Sequence, residues 1–226
     1  MKKTAIIFGA TGLVGSHLLN QLLEDPLYSK IISISRKDTG IQNPKLDNFT
    51  GDLANREFLK NHIKGDVIFC CLGTTIRKAG SKEAFIHVDL HLPALIAEIG
   101  KMNMVPVMSV VSSIGANTGS SNFYLRTKGQ MEKQIFGFNY EKTIILRPAI
   151  LLGKRNEFRF GEAFAKPILH IASFFMYGAW EKYKPIKALT VAKAMTILAD
   201  QSNGNRILES DEIKKLVITN EAGKFS

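Results

Sequence analysis

Short runs of β-branched and aromatic residues alternate along the chain with stretches whose apolar positions recur every three or four residues. Thr4 to Phe8 is the first such run and leads into a glycine-rich turn, Gly9 to Gly15. Leu13, Val14, Leu18, Leu19, Leu22 and Leu23 then share one helical face, and Asp25-Pro26 ends that helix. Lys30 to Ser35, Phe49-Thr50, Asp66 to Leu72, Val105 to Ser112 and Thr143 to Leu146 read as further strands. A long helix is predicted from Ser81 to Lys101, with Ser81 as N-cap, Glu83 in its first turn and a kink or break at Pro93. Another helix covers about Asn122 to Phe136, and a charged one lies near Asp211 to Lys215. Continuous apolar strands separated by helices mean a parallel sheet covered on both faces. The pattern therefore predicts an α/β fold, a doubly wound parallel sheet of Rossmann type. No repeat or Gly/Ser linker divides residues 1–226, so a single domain is expected. Residues 149–226 show mixed helical patterns and are expected to fold over the ends of the sheet as a short substrate-side extension.

The 226 residues are 45% apolar and 22% charged, which excludes collagenous, low-complexity and wholly disordered classes. No uninterrupted apolar stretch of about 20 residues occurs, so no membrane span is predicted. An excess of 30 Lys and Arg over 20 Asp and Glu gives a net charge of +10, which favours anionic ligands such as phosphorylated cofactors. The basic residues are scattered and form no nucleic-acid-binding motif, so nucleic acid is not an expected partner. Cys70 and Cys71 are adjacent in an apolar run, a spacing that suits neither a disulfide nor a metal. With an N-terminal apolar run too short for a signal peptide, they predict a reduced, cytoplasmic protein.

The glycine turn follows the first strand and opens a helix, the context in which such a turn binds a pyrophosphate. Gly9 allows the sharp turn, Gly12 lets the backbone approach the phosphates, and Gly15 lets the helix pack closely on the strand. The phosphates then sit at a helix N-terminus, where unpaired N–H groups and the dipole favour negative charge. The residue that selects the cofactor is expected at the end of the second strand, where an NAD binder carries Asp or Glu. Ser35-Arg36-Lys37 stands there instead, and a guanidinium pairs with a 2′-phosphate, so NADP(H) is favoured and NAD(H) is the alternative. Asp52 is positioned to bond the adenine amino group and Leu53 to contact the base. Cys71, Leu72 and Gly73 end the fourth strand, where the chain passes under the cofactor.

Tyr124 and Lys128 are one helical turn apart on one face. A phenol alone is a poor acid–base near neutrality, and a neighbouring ammonium favours its ionised form. Ser113, at the end of the preceding strand, offers a hydroxyl to hold a carbonyl oxygen, and Ser112 alternates to the other face.

The segments GATGLVG, FCCLGTT, VVSSIGA, YLRTK and ILRPAILLG together resemble the short-chain dehydrogenase/reductase superfamily. Within it the chain is similar to the atypical group typified by the HIV Tat-interacting-protein oxidoreductase, with CCLGTTIRKAGSK its most group-specific part. The resemblance implies a Rossmann-type sheet and NADPH binding at Gly9, Thr11, Gly12, Leu13, Gly15 and Arg36, with Val14 in the same turn. It also implies a Ser113–Tyr124–Lys128 catalytic set and an Arg147-Pro148 turn, with Pro148 beside the nicotinamide. The Ser113-to-Tyr124 spacing is shorter than in typical members, so Ser112 and Ser113 both stay candidates for the substrate-orienting hydroxyl.

His87 and His91 are one turn apart but lack the glutamate and third ligand of a zinc site, so packing near the cofactor is expected and no metal. The aromatic stretch Phe158 to Trp180 reads as core or pocket wall, ahead of a membrane-surface helix or a dimer contact. The expected function is an NADPH-dependent oxidoreductase moving hydride between nicotinamide and a small carbonyl or alcohol substrate, as a monomer or homodimer. The alternative is an NADPH-binding regulator or scaffold with a protein partner and little turnover. A sugar-nucleotide epimerase or dehydratase is a third class, which calls for a larger substrate lobe and usually a retained NAD.

Overall fold

The computed structural model describes residues 2–153, 178–201 and 204–223. Seven parallel strands run in the order β3-β2-β1-β4-β5-β6-β9. These are β1 (Lys3–Phe8), β2 (Tyr28–Ser35), β3 (Leu46–Thr50), β4 (Val67–Cys70), β5 (Val107–Val111), β6 (Lys142–Arg147) and β9 (Arg206–Glu209). A separate two-stranded parallel pair joins β7 (Leu151–Leu152) to β8 (Ile186–Lys187). One face of the sheet is covered by α1 (Leu13–Glu24), α7 (Ala188–Asp200) and α8 (Ser210–Ala222). The other is covered by α2 (Arg56–His62), α5 (Leu92–Met102) and α6 (Phe123–Gly137). Alternation along β1 explains the apolar run from Ala5 to Phe8: Ala5 and Ile7 enter one core and Ile6 and Phe8 the other. The doubly wound sheet is therefore as expected.

One expectation needs correction. The segment from residue 149 onward does more than cover the ends of the sheet: β9 adds a seventh strand beside β6, and α7 packs against α1. Strand β9, with the sequence RILE, is short, lies at an edge and is half exposed, so it carries no continuous apolar run to announce it. The helix predicted over Ser81 to Lys101 is broken near Pro93 as expected: after the short α3 (Ile76–Ala79) it divides into α4 (Lys82–Ile86), a π-helical turn (His87–His91) and α5. Ser81 caps α4 as expected, accepting from the Ala84 N–H at 3.1 Å. The disturbance lies just before Pro93, which has no N–H to return to the preceding turn. The Leu92 N–H bonds the His87 carbonyl, five residues back, and the widened turn buries Asp89. Of the stretch from Phe158 to Trp180, residues 158–177 lie outside the described residues.

The strand order reverses between β1 and β4, which places a crevice at their C-terminal ends. Gly9 turns there with φ +79, and a Cβ on it would lie 2.8 Å from the Cys71 carbonyl oxygen. A Cβ on Gly15 would lie 2.1 Å from the Gly9 carbonyl oxygen, so α1 starts against the turn itself. At the opposite edge of the sheet, Asp200 at the end of α7 accepts from the Tyr28 hydroxyl at 2.9 Å and pairs with Lys3 at 3.0 Å. Lys142 of β6 donates to the carbonyls of Leu198, Ala199 and Gln201 and so completes that helix end. Burial, and then the Asp200 carboxylate, hold the Tyr28 phenol well above its ordinary range.

Two outcomes are expected. Gly15→Ala should lower the unfolding free energy by about 2–3 kcal/mol in urea titrations, because its methyl overlaps the Gly9 carbonyl. Stability should also fall above about pH 10, since an unfolded tyrosine ionises there while folded Tyr28 keeps its proton. Tyr28→Phe should flatten that alkaline decline and cost about 1–2 kcal/mol near neutrality, read from urea midpoints across the pH range.

Candidate active site

The glycine turn forms the floor of the crevice. Gly12 is the N-cap of α1 and offers no side-chain acceptor, and the helix has no acidic residue in its first turn. The N–H groups of Leu13, Val14 and Gly15 have no acceptor within the helix, which suits a bound anion. Thr11 is exposed above them. Gly153, just beyond β7, abuts Leu13: a Cβ on it would lie 2.3 Å from Leu13 Cδ1. On the β2 side, the Ser35 hydroxyl donates to the Lys37 carbonyl, which curls the segment so that Arg36 and Lys37 are exposed. The neighbouring end of β3 leads through Gly51, whose N–H bonds the Ser35 carbonyl at 3.0 Å, to Asp52 and Leu53. Asp52 is exposed and accepts from the Ala54 N–H at 2.9 Å, while Leu53 is buried. The loop leaving β4 carries Cys71, Leu72 and Gly73 past Gly9.

Beyond this floor lies a small cavity of about 20 Å³ whose walls include Gly73, Asp89, Ser112, Tyr124, Lys128 and Pro148. Tyr124 and Lys128 reach it from the first two turns of α6, which begins at Asn122, whose side chain accepts from the Leu125 N–H at 3.2 Å. The Tyr124 ring packs on Phe85 of α4, with centroids 5.6 Å apart. The Lys128 ammonium lies 2.7 Å from Asp89 Oδ1, the two side chains being 4% and 1% exposed. The other oxygen of Asp89 accepts the Thr74 N–H at 2.8 Å.

The two serines separate. Ser112 lines the cavity, but its hydroxyl donates to Glu132. Glu132 also takes two hydrogen bonds from the Arg147 guanidinium, at 3.0 and 2.5 Å, and these hold Arg147 above the ordinary guanidinium range. Ser113 is buried next to it, does not line this cavity, and its hydroxyl lies 3.4 Å from the Ile114 carbonyl. Sequence reasoning missed both carboxylates. Glu132 carried a signal, since it continues the Tyr124, Lys128 spacing by one more helical turn. Asp89 stands between His87 and His91 and gave no signal beyond being an acid in an apolar stretch. The two histidines themselves are exposed rather than packed near the crevice, because the π turn brings Asp89 inward in their place. Cys70 and Cys71 are buried thiols, and burial pushes Cys70 up to about 11, which keeps it from acting as a nucleophile.

The arrangement can hold an elongated anion at the turn and place a phenol and an ammonium at its far end. The residues present fit a dinucleotide: the floor admits backbone only, at Gly9 and Gly15, and supplies helix-end N–H groups.

Comparisons with known proteins agree. Residues 5–173 match the model of the NAD dependent epimerase/dehydratase family. The chain is 31% identical to Protein HTATIP2 of Rattus norvegicus over 222 residues, covering 95% of this chain and 89% of that one. It is 33% identical over 226 residues to Protein FMP52, mitochondrial, of Candida albicans, covering 94% and 97%. Among solved structures, the Bordetella bronchiseptica enzyme WbmH in complex with NAD+ superposes with a TM-score of 0.68 at 17% identity, covering 99% of this chain and 82% of that one. That likeness bears on the fold, and it agrees with the strand order and crevice described above. No helix among the described residues is long and apolar enough to cross a membrane. Chain-wide similarity and a glycine-floored crevice at the sheet reversal lead to one assignment: the chain belongs to the NAD-dependent epimerase/dehydratase family, within the atypical short-chain dehydrogenase/reductase group that includes rat HTATIP2.

Proposed function

We propose that the protein is an NADPH-dependent oxidoreductase acting on a small carbonyl compound or alcohol. The observation that supports this reading most is the shared cavity of Tyr124 and Lys128, walled by Gly73 of the loop that also meets the glycine turn. When bound, the nicotinamide supplies the hydride chemistry. The first-turn N–H groups of α1 hold the diphosphate, and Asp52 and Leu53 flank the adenine. Arg36, with Lys37 and Ser35 beside it, takes the 2′-phosphate. An exposed guanidinium at the end of β2 suits that dianion, where a carboxylate would repel it. Tyr124 transfers the proton at the substrate oxygen, and Lys128 donates to the ribose and supports the phenol. Ser113 or Ser112 orients the substrate oxygen: Ser113 does so once it turns toward the cavity, and Ser112, which already lines it, once its hydroxyl leaves Glu132.

A second reading, an NADPH-dependent regulator or scaffold with a protein partner and little turnover, draws support from Asp89. Its carboxylate already pairs with the Lys128 ammonium, the group that the enzyme reading needs for the ribose and the phenol. Nucleotide-sugar chemistry ranks lower, since a longer substrate lobe goes with it. The adjacent thiols Cys70 and Cys71 suit a reducing compartment, and the protein is placed in the cytoplasm, whereas the Candida relative is named as mitochondrial.

Titration with NADPH and NADH, followed by nicotinamide fluorescence, is the direct test. Saturable NADPH binding is expected, with Arg36→Ser weakening it about tenfold and leaving NADH unchanged. Equal affinities in wild type and variant would remove Arg36 from cofactor selection. Tyr124→Phe should lower NADPH oxidation with a panel of small aldehydes and ketones by about 100-fold or more while cofactor affinity holds. If no compound in the panel is turned over by a protein that binds NADPH, the regulator reading replaces the enzyme.

A further inference from the structure

We propose that Asp89 is a positioning residue that holds Lys128 beside Tyr124 and ties it to the loop leaving β4. The proposal rests on the reading of the crevice as a dinucleotide site. One carboxylate joins two elements distant in sequence: Oδ1 lies 2.7 Å from the Lys128 ammonium on α6, and Oδ2 accepts the Thr74 N–H at 2.8 Å, next to Gly73. Both side chains are almost wholly buried. The place of Asp89 depends on the π turn ahead of Pro93, which presents it to α6 while His87 and His91 stay exposed.

Asp89 is the carboxylate paired with Lys128. Asp89 comes from the π turn, Cys70 from β4, and Tyr124 and Glu132 from the same helix as Lys128. Glu132 is engaged by Arg147 of β6, and burial keeps Cys70 a neutral thiol up to about 11. Burial alone drives an ammonium toward the neutral amine, and the Asp89 carboxylate opposes this. Removing that charge therefore makes the protonation of Lys128 sensitive to pH in a range where the wild type is constant.

The test uses the full chain with NADPH as probe, titrated by fluorescence from about pH 7.5 to about pH 9.5. Asp89→Asn keeps an acceptor for the Thr74 N–H and removes the charge. Wild-type affinity is expected to stay constant over this range. The variant should bind within about threefold of wild type at the lower pH and at least about tenfold more weakly at the upper, as the amine loses its proton. A loss equal at every pH, or no loss, overturns the proposal. Should Asp89→Asn fail to fold, the Asp89→Asn/Lys128→Met pair buries no charge and is expected to fold. That pair should bind NADPH about tenfold more weakly with a flat pH profile, and wild-type affinity in it overturns the proposal. If the wild type gives no saturable NADPH signal, the dinucleotide reading fails and the proposal with it, an outcome distinct from a flat profile confined to the variants.

Discussion

Between β1 and β4 the sheet reverses its winding: α1 leaves toward one face, and the chain after β4 leaves toward the other. The backbone left at that divergence has to close on itself without side chains. Gly9 meets the Cys71 carbonyl, and Gly15 meets Gly9, at distances that no Cβ tolerates. This close approach seats the N-terminus of α1 at the crevice and brings the Leu72–Gly73 loop beside it. Arg36, Asp52 and the α6 pair then matter because they lie at the same edge of the sheet, where parallel strands all end.

Helix α6 carries Tyr124 and Lys128, and two ion pairs, the first wholly buried, fix it. Lys128 pairs with Asp89, and one turn further on Glu132 pairs with Arg147 while accepting from Ser112. Such pairs add little net stability over apolar packing, but losing one partner leaves a stranded charge at a cost of about 3–5 kcal/mol. Their effect here is geometric. The first pair links α6 to the π turn and the β4 loop, and the second links α6 to the ends of β5 and β6. The side chains facing the cavity are thereby placed by charges drawn from the π turn and from the end of β6.

Much of this was legible before any coordinates. The apolar runs at Thr4 to Phe8 and Val105 to Ser112, and the glycine turn between strand and helix, encode their own local geometry, and the fold follows from their alternation. The Tyr124 and Lys128 spacing was legible for the same reason, because one helical turn brings them to one face. Strand β9 was not legible, since an edge strand of four half-exposed residues has no pattern apart from the neighbour it pairs with. The break in the 81–101 helix was expected at Pro93, and the missing N–H acts on the turn before it.

The sequence by itself determined the strands and helices from β1 to β6, where backbone rather than side chain lines the crevice, and which face of α6 carries the phenol and the ammonium. These are properties of neighbours within a few residues, set by periodicity and steric limits. Only the tertiary structure decided that Asp89 and not a histidine turns inward to Lys128. Likewise it alone showed that the Ser112 hydroxyl is taken up by Glu132 and that the C-terminal segment completes the sheet. Each joins groups far apart along the chain, and packing and buried charge, not local pattern, select such contacts.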